Sequence, residues 1–489
     1  MTDAFTPDRA KTPRRIRLRL FERVGSRLLG RPMFAMAWLT IKAAMRYRLV
    51  QILTVLLLAA VVFLPAIVKH DGTARGFTQI LLTYSMGSVT MLLGFSTLWL
   101  ACGTLARDVE ECQMQMVAVK PIARWEIWLG KWVGLVVLNG VLLGIAGGAM
   151  YGVMAWRARL LPAATLDELH NKVLVARGSI REVVDTQRIE TEVNRRLAER
   201  LQEASVEAMD RNFVRQQIRE QVRAQYQIVR PGMARRWVLD FRARAGRLRA
   251  SPLSVRAKFI AAQPTPSGTY YGLWEIGPPE GERYRSETMS LASDTFYEFV
   301  VPPGLIGSDG RLTVDFLNYN DSAVLFPLEE GLEVLYVEGG FLLNFVRGWT
   351  IILCWMSLLA AIGLAAASCL SFPVAAFLSL ALLVVGFSTG TLRQVVAEGG
   401  IAGVNTNTGR IEEPGLFDQA AVKFFGGLLA VINLVQDFSP VESLSAGRSV
   451  SWGEVGRAFL QVVLLMGGVF GVAGAVLFTR RELAAAQSG

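Results

Sequence analysis

Residues 132–156 read WVGLVVLNGVLLGIAGGAMYGVMAW, 25 positions without an Asp, Glu, Lys or Arg. About 20 apolar residues in helical form cross the hydrocarbon core of a bilayer, so this stretch predicts a membrane-spanning helix. Within it Gly140, Gly144, Gly148 and Gly152 recur at every fourth position. That spacing sets them on one stripe of the helix, where a neighbouring backbone can approach closely. The stripe therefore predicts a helix-packing seam, either within the chain or as a subunit interface or moving seam, and Gly467 and Gly471 repeat the spacing near the end of the chain.

Working outward, similar apolar blocks lie at about 49–68, 79–105, 341–369, 373–392 and 458–478. The expected fold class is an α-helical integral membrane protein with six transmembrane helices. A large extracytoplasmic α+β domain falls between spans three and four. Residues 34–48, FAMAWLTIKAAMRYR, place Lys42, Arg46 and Arg48 among aromatic and aliphatic residues and predict a helix along the membrane interface. The expected division is 1–48, basic N-terminus with this helix; 49–156, spans one to three with a charged loop at 107–131; 157–340, the external domain; 341–479, spans four to six with an external loop at 393–456; and 480–489, the tail. Six crossings put both termini on one side. The basic N-terminus and Arg480-Arg481 assign that side to the cytoplasm. Residues 420–435 form a shorter apolar stretch containing Lys423, which predicts an interfacial or re-entrant helix; a seventh crossing there would put the C-terminus outside.

Composition narrows the function. The formal charge is +10, but 12 of the 51 Lys and Arg lie in the first 48 residues, where the positive-inside rule expects them. Nucleic-acid binding is therefore not expected. Cys102, Cys112, Cys354 and Cys369 lie in or beside apolar blocks, and His70 and His170 are the only histidines, so neither a disulfide framework nor a metal site is expected. The spans lack the ionisable groups at membrane depth that channels and proton-coupled carriers use.

The external region divides by charge. Residues 157–258 carry 22 Lys/Arg against 12 Asp/Glu, and residues 259–340 carry 3 against 13. In the first part Ile189, Val193, Leu197 and Leu201, then Ile218 and Val222, recur at helical spacing and predict long amphipathic helices. In the second part LTVDFL (312–317), TFYEFVV (295–301) and LEVLYV (332–337), punctuated by prolines, predict a small β-sandwich. The opposite charges fit either a helical part docked on the sheets or two independently solvated faces.

The charged loop reads RDVEECQMQMVAVKPIARWEIWLGK over residues 107–131. Pro121 fixes its own backbone and disfavours helix at Lys120, which separates two helical pieces and makes a helix–break–helix lever. Glu110 and Arg124 offer opposite charges on either side of the break. This segment resembles the cytoplasmic loop of type-2 ATP-binding-cassette (ABC) exporter permeases, with Glu110, Pro121, Arg124, Gly130 and Lys131 at the family's relative spacings. It departs from the family at Cys112-Gln113, where Gly-Thr is common. The interfacial helix, the tight connection at 370–372, the Ser439-Pro440 element and the terminal FTRREL (478–483) agree with the same family.

The resemblance implies the transmembrane subunit of an exporter in a bacterial inner membrane, paired as a homodimer or as a heterodimer with a similar permease. It implies an ABC ATPase subunit gripping Glu110, Pro121, Arg124, Gly130 and Lys131. No GxxxxGK[ST] phosphate loop occurs in the chain, so ATP and Mg are expected on that partner, with no cofactor and no catalysis here. The size of residues 157–340 keeps a second expectation open: a mechanotransmission or scaffold protein whose ATP-driven motion acts on an external partner.

Overall fold

A computed structural model describes residues 32–46, 48–67, 74–111, 122–160, 174–183, 186–203, 211–265, 267–328, 330–387, 422–427 and 438–481, with isolated positions between them. The chain separates into two units, one made of Met1–Leu174 with Phe341–Gly489 and the other of Val175–Gly340.

The first unit begins with α1 (Pro32–Arg46), α2 (Arg48–Ile67) and α3 (Ala74–Ile80). A π-helical turn at Leu81–Ser85 leads into α4 (Met86–Glu110), and α5 follows at Arg124–Ala158. The second unit carries α6 (Thr186–Glu203), α7 (Arg211–Gln227), the short α8 (Ala245–Leu248) and twelve described strands. The chain then returns to the first unit with α9 (Phe341–Cys369), α10 (Phe372–Phe387), α11 (Pro440–Ser445) and α12 (Trp452–Ala458). A second π-helical segment, Phe459–Met466, continues α12 into α13 (Gly467–Arg480).

Among the described residues four helices are long and apolar enough to cross a membrane: Thr78–Glu110, Arg124–Ala158, Phe341–Cys369 and Trp452–Arg480. α1 and Val50–Pro65 of α2 form a pair bent by 72°, and Phe372–Val385 is a shorter apolar helix. The end of the expected span at 373–392 lies outside the described residues; of 420–435, positions 420, 422–427, 429 and 432 are described, and they are helical. A bilayer leaves backbone groups no hydrogen-bond partner other than the helix itself, which favours helical spans, and the cost of unpaired polar groups in hydrocarbon favours apolar side chains on them.

The helices run further than the apolar blocks. α4 continues to Glu110 and α5 begins at Arg124, so Glu110, Arg124, Gly130 and Lys131 sit on helix rather than on a connecting loop. Apolar blocks mark bilayer thickness, whereas helical hydrogen bonding persists into the polar turns beyond it. Pro121 and its neighbours at 112–120 lie outside the described residues. α9 packs along α4 at a notch: a Cβ on Gly363 would stand 2.7 Å from Ala101 Cβ and 3.2 Å from the Leu98 carbonyl oxygen.

In the second unit the strands form three sheets. The first runs β1 (Val175–Ile180), β12 (Leu332–Gly340), β4 (Leu253–Lys258), β9 (Phe296–Val301), all antiparallel. The second runs β3 (Ala234–Asp240), β10 (Arg311–Asn318), β6 (Thr269–Ile276), β7 (Tyr284–Arg285), with β8 (Met289–Ala292) also on β6. A small sheet joins β2 (Ile228–Val229), β11 (Val324–Leu325) and β5 (Ile260–Ala261). Val255, Val334, Trp237, Trp274, Phe316 and Phe326 from these strands and their flanks share one buried cluster.

One expectation changes here. Residues 157–258 are not purely helical, since β1, β2, β3 and β4 lie within them. β3 and β4 alternate in burial as strands do, but their frequent arginines make that alternation hard to separate from a charged helix. Among the described residues the charge complementarity acts within the sheets and their flanking turns. Arg177 pairs with Glu298, Arg181 and Arg256 with Glu333, Arg236 with Asp315 and Lys258 with Asp294. The α6–α7 hairpin instead buries Ile189, Val193, Leu197, Val214, Ile218 and Val222 against one another, and Glu190 pairs across it with Arg215 and Arg219.

Candidate functional site

Five helix ends meet in one knot of charge-assisted hydrogen bonds at one end of the apolar bundle. A helix leaves its last four carbonyls and first four amides without internal partners, and its C-terminus carries partial negative charge. An arginine aimed at such an end satisfies both conditions.

Arg124, the first residue of α5, donates from Nη1 to the carbonyl oxygens of Thr479 at 2.8 Å and Arg481 at 2.9 Å, with Phe478 O at 3.5 Å. It caps the end of α13. Arg481, just past α13, donates in turn to Ala367 O at 3.2 Å and Ser368 O at 3.4 Å near the end of α9. Glu110, the last residue of α4, accepts the backbone N–H of Phe372 at 2.8 Å, placing a carboxylate at the positive start of α10. Glu110, α10, α9, α13 and Arg124 are thus tied in sequence, since Leu370 and Ser371 alone separate α9 from α10.

Lys131 closes the base of the 107–131 segment. Its ammonium donates to Asp108 Oδ2 at 2.6 Å and to the Thr104 carbonyl at 2.7 Å, and the residue is only 3% exposed. The ion pair joins α5 to the last turns of α4 across 23 residues of sequence.

Gly130 has a different task. A Cβ there would stand 2.6 Å from Met33 O and 2.6 Å from Met36 Cβ; at Gly134 it would stand 2.8 Å from Ala37 O and 2.9 Å from Thr40 Cβ. These two glycines let α1 lie directly on α5. Two residues before Gly130, Trp128 packs over Gly471 and Gly474 of α13.

The predicted seam at Gly140, Gly144, Gly148 and Gly152 does not pack closely inside this chain. Gly140 touches only Leu353, at 3.9 Å, and Gly144, Gly148 and Gly152 have nothing within 4 Å of a Cβ. The close approaches on α5 belong to Gly130, Gly134 and Gly147, the last against the Trp349 ring at 3.3 Å. The four-residue stripe drifts around a helix of 3.6 residues per turn, and this one runs along the outward face.

Sequence reasoning missed Asp108, Arg481 as a helix cap, Gly134 and Phe372. Arg481 stood out only as a basic flank, because which helix end a cation caps is set by packing. It also missed the buried polar pair in the apolar core, where Thr97 Oγ1 lies 3.0 Å from Asn139 Oδ1, a contact of the kind that fixes helix register in a bilayer. At the opposite end of α9, Asn344 donates to Arg448 O at 2.8 Å and accepts from the Val450 N–H at 2.6 Å, holding the α11–α12 connection. Among the described residues no group of three metal-capable side chains occurs. Compared with protein families, curated proteins and solved structures, the chain matches none.

Proposed function

We propose that this chain is the membrane-spanning permease subunit of an ABC exporter, coupling ATP hydrolysis on a separate ATPase subunit to movement of a substrate across the membrane. The observation that carries this reading is the knot: the segment resembling the family's coupling loop has both flanks fastened to the apolar helices. Lys131–Asp108 pins its base, Arg124 holds the end of α13 and Glu110 holds the start of α10. A push on residues 107–131 would therefore be delivered to several spans together.

In this reading the chain makes six crossings, with α2 as the first and α10 beginning the fifth. Both termini and residues 107–131 face the cytoplasm of a bacterial inner membrane, and residues 157–340 lie outside. The permease works as a homodimer or with a similar partner. ATP and Mg bind the motor subunit, and this chain is not itself catalytic. Glu110 and Arg124 act as braces that transmit motion, and the motor docks on the segment between them. A second reading, mechanical action on an external partner, is favoured by the separate buried core of Val175–Gly340.

The test is reconstitution with the ATPase subunit. Arg124→Ala is expected to retain assembly and ATP hydrolysis while losing most substrate flux per ATP. Flux and hydrolysis both at wild-type level would remove Arg124 from the coupling path, and hydrolysis without any flux in the wild type would favour the second reading.

A further inference from the structure

Along α4, Phe95, Trp99, Gly103 and Arg107 follow at four-residue spacing and share one ridge. Phe372, the first residue of α10, seats its ring at the Gly103 notch, 3.5 Å from where a Cβ would stand. Trp99 meets that ring edge-on at 5.2 Å between centroids, and the Arg107 guanidinium lies over it at 4.4 Å. Beside this stack a groove of about 310 Å³ runs between α4 and α10, lined by Phe95, Leu98, Trp99, Ala376, Phe377 and Leu380 among others, all of them apolar.

Arg107 is exposed and has no carboxylate partner among the described residues. Glu111 continues the ridge at the next four-residue step but makes no ion pair with Arg107, and Glu110, three residues on, is engaged with the Phe372 amide. The apolar groove therefore ends at a cation without an ion-pair partner among the described residues. Twelve residues separate Arg107 from Phe95, about 18 Å at the helical rise, which is the reach of a lipid chain below its headgroup. Covering the groove with another apolar helix would strip water from Arg107 without supplying an anion, which is costly. A phospholipid brings both a chain for the groove and a phosphate for the guanidinium.

We infer that the α4–α10 groove holds an acyl chain of an anionic phospholipid whose phosphate rests on Arg107. The site rests on these helices spanning a bilayer and is independent of any ATPase partner. Its position beside the Glu110–Phe372 tie gives a bound lipid direct contact with one strand of the knot.

The experiment places the full chain in nanodiscs of phosphatidylcholine and titrates in phosphatidylglycerol or phosphatidylcholine brominated at mid-chain. Bromine quenches nearby indoles, and the difference between wild type and Trp99→Phe isolates Trp99 among the 11 tryptophans. Half-maximal Trp99 quenching is expected at about fivefold less brominated phosphatidylglycerol than brominated phosphatidylcholine. Arg107→Gln should abolish the preference and Arg107→Lys should keep most of it. Equal quenching by the two lipids in the wild type would overturn the headgroup contact. No quenching of Trp99 by either lipid, with copies of Ala376→Cys cross-linking to each other, would mean that a second copy fills the groove. Every one of these outcomes is read without ATP or a motor, so it stands apart from the test of function.

Discussion

Placing a methyl group at Gly130 or Gly134 should loosen α1 from α5, while the same change at Gly144 or Gly148 should not. A Cβ at Gly130 would stand 2.6 Å from both Met33 O and Met36 Cβ. Carbon atoms pack at about 3.5–4.0 Å, so α1 has to withdraw by roughly 1 Å, and a backbone carbonyl cannot swing aside as a side chain would. Such overpacking costs about 1–3 kcal/mol, offset by up to about 1 kcal/mol from replacing glycine with alanine in a helix. The expected net loss for Gly130→Ala or Gly134→Ala is about 1–2 kcal/mol. Gly144→Ala and Gly148→Ala meet no atom within 4 Å and retain only the propensity gain. The assay is thermal unfolding of the purified single-copy chain in detergent, followed by disulfide trapping between α1 and α5. Gly130→Ala as stable as wild type, with Gly148→Ala melting earlier, would refute the assignment of the close approach.

The remaining expectations concern charges and sidedness. Lys131→Met should cost about 1–3 kcal/mol by leaving the partly solvated Asp108 and the Thr104 carbonyl without their donor, and Lys131→Met with Asp108→Leu should recover most of it; a double variant no better than the single one would deny the coupling. Arg481→Ala should lower stability by about 1–3 kcal/mol through the carbonyls it frees on α9, read as faster hydrogen exchange at the end of that helix; unchanged exchange there would refute the cap. Hydrogen bonds from Arg195 and Arg196 hold the Glu192 carboxyl down from 4.5 to about 2. A depressed carboxylate pKa stabilises the fold above the unfolded value and loses that contribution as pH falls. Protection from exchange across Thr186–Glu203, relative to the intrinsic rate at each pH, should therefore fall from about pH 4.5 toward about 2, and Glu192→Gln should flatten the change. In a cysteine-free background, Glu280→Cys should label with an impermeant reagent from outside intact cells and Trp125→Cys should not; the reverse would invert the topology.

Much of the membrane part was legible because a bilayer reads one variable. Residues 132–156 and 341–369 are apolar over the length that matters, and the helices Arg124–Ala158 and Phe341–Cys369 contain them. Their polar extensions were not legible, because the end of a helix depends on caps such as Arg124 on Thr479 that come from elsewhere in the chain. The glycine pattern did not identify its neighbours for a related reason. Spacing shows which residues share a face, but Gly130 and Gly134 face α1 while Gly144 and Gly148 face open space. In Val175–Gly340 the alternation of Leu253–Lys258 was present in the sequence, yet Arg256 and Lys258 hid it. Their roles became visible only with Glu333 and Asp294 beside them.

The central claim is that the 107–131 segment transmits the work of a separate ATPase to the spans. It is tested most directly by affinity-purifying the full chain from its native membrane, identifying the co-purified subunits, and measuring Mg-ATP hydrolysis and substrate flux of the same complex in vesicles. The account predicts a stoichiometric subunit carrying a GxxxxGK[ST] loop, hydrolysis coupled to flux, and loss of flux at retained hydrolysis in Glu110→Ala and Arg124→Ala. A chain that purifies without any such ATPase, or Glu110→Ala and Arg124→Ala complexes with full flux, would contradict it.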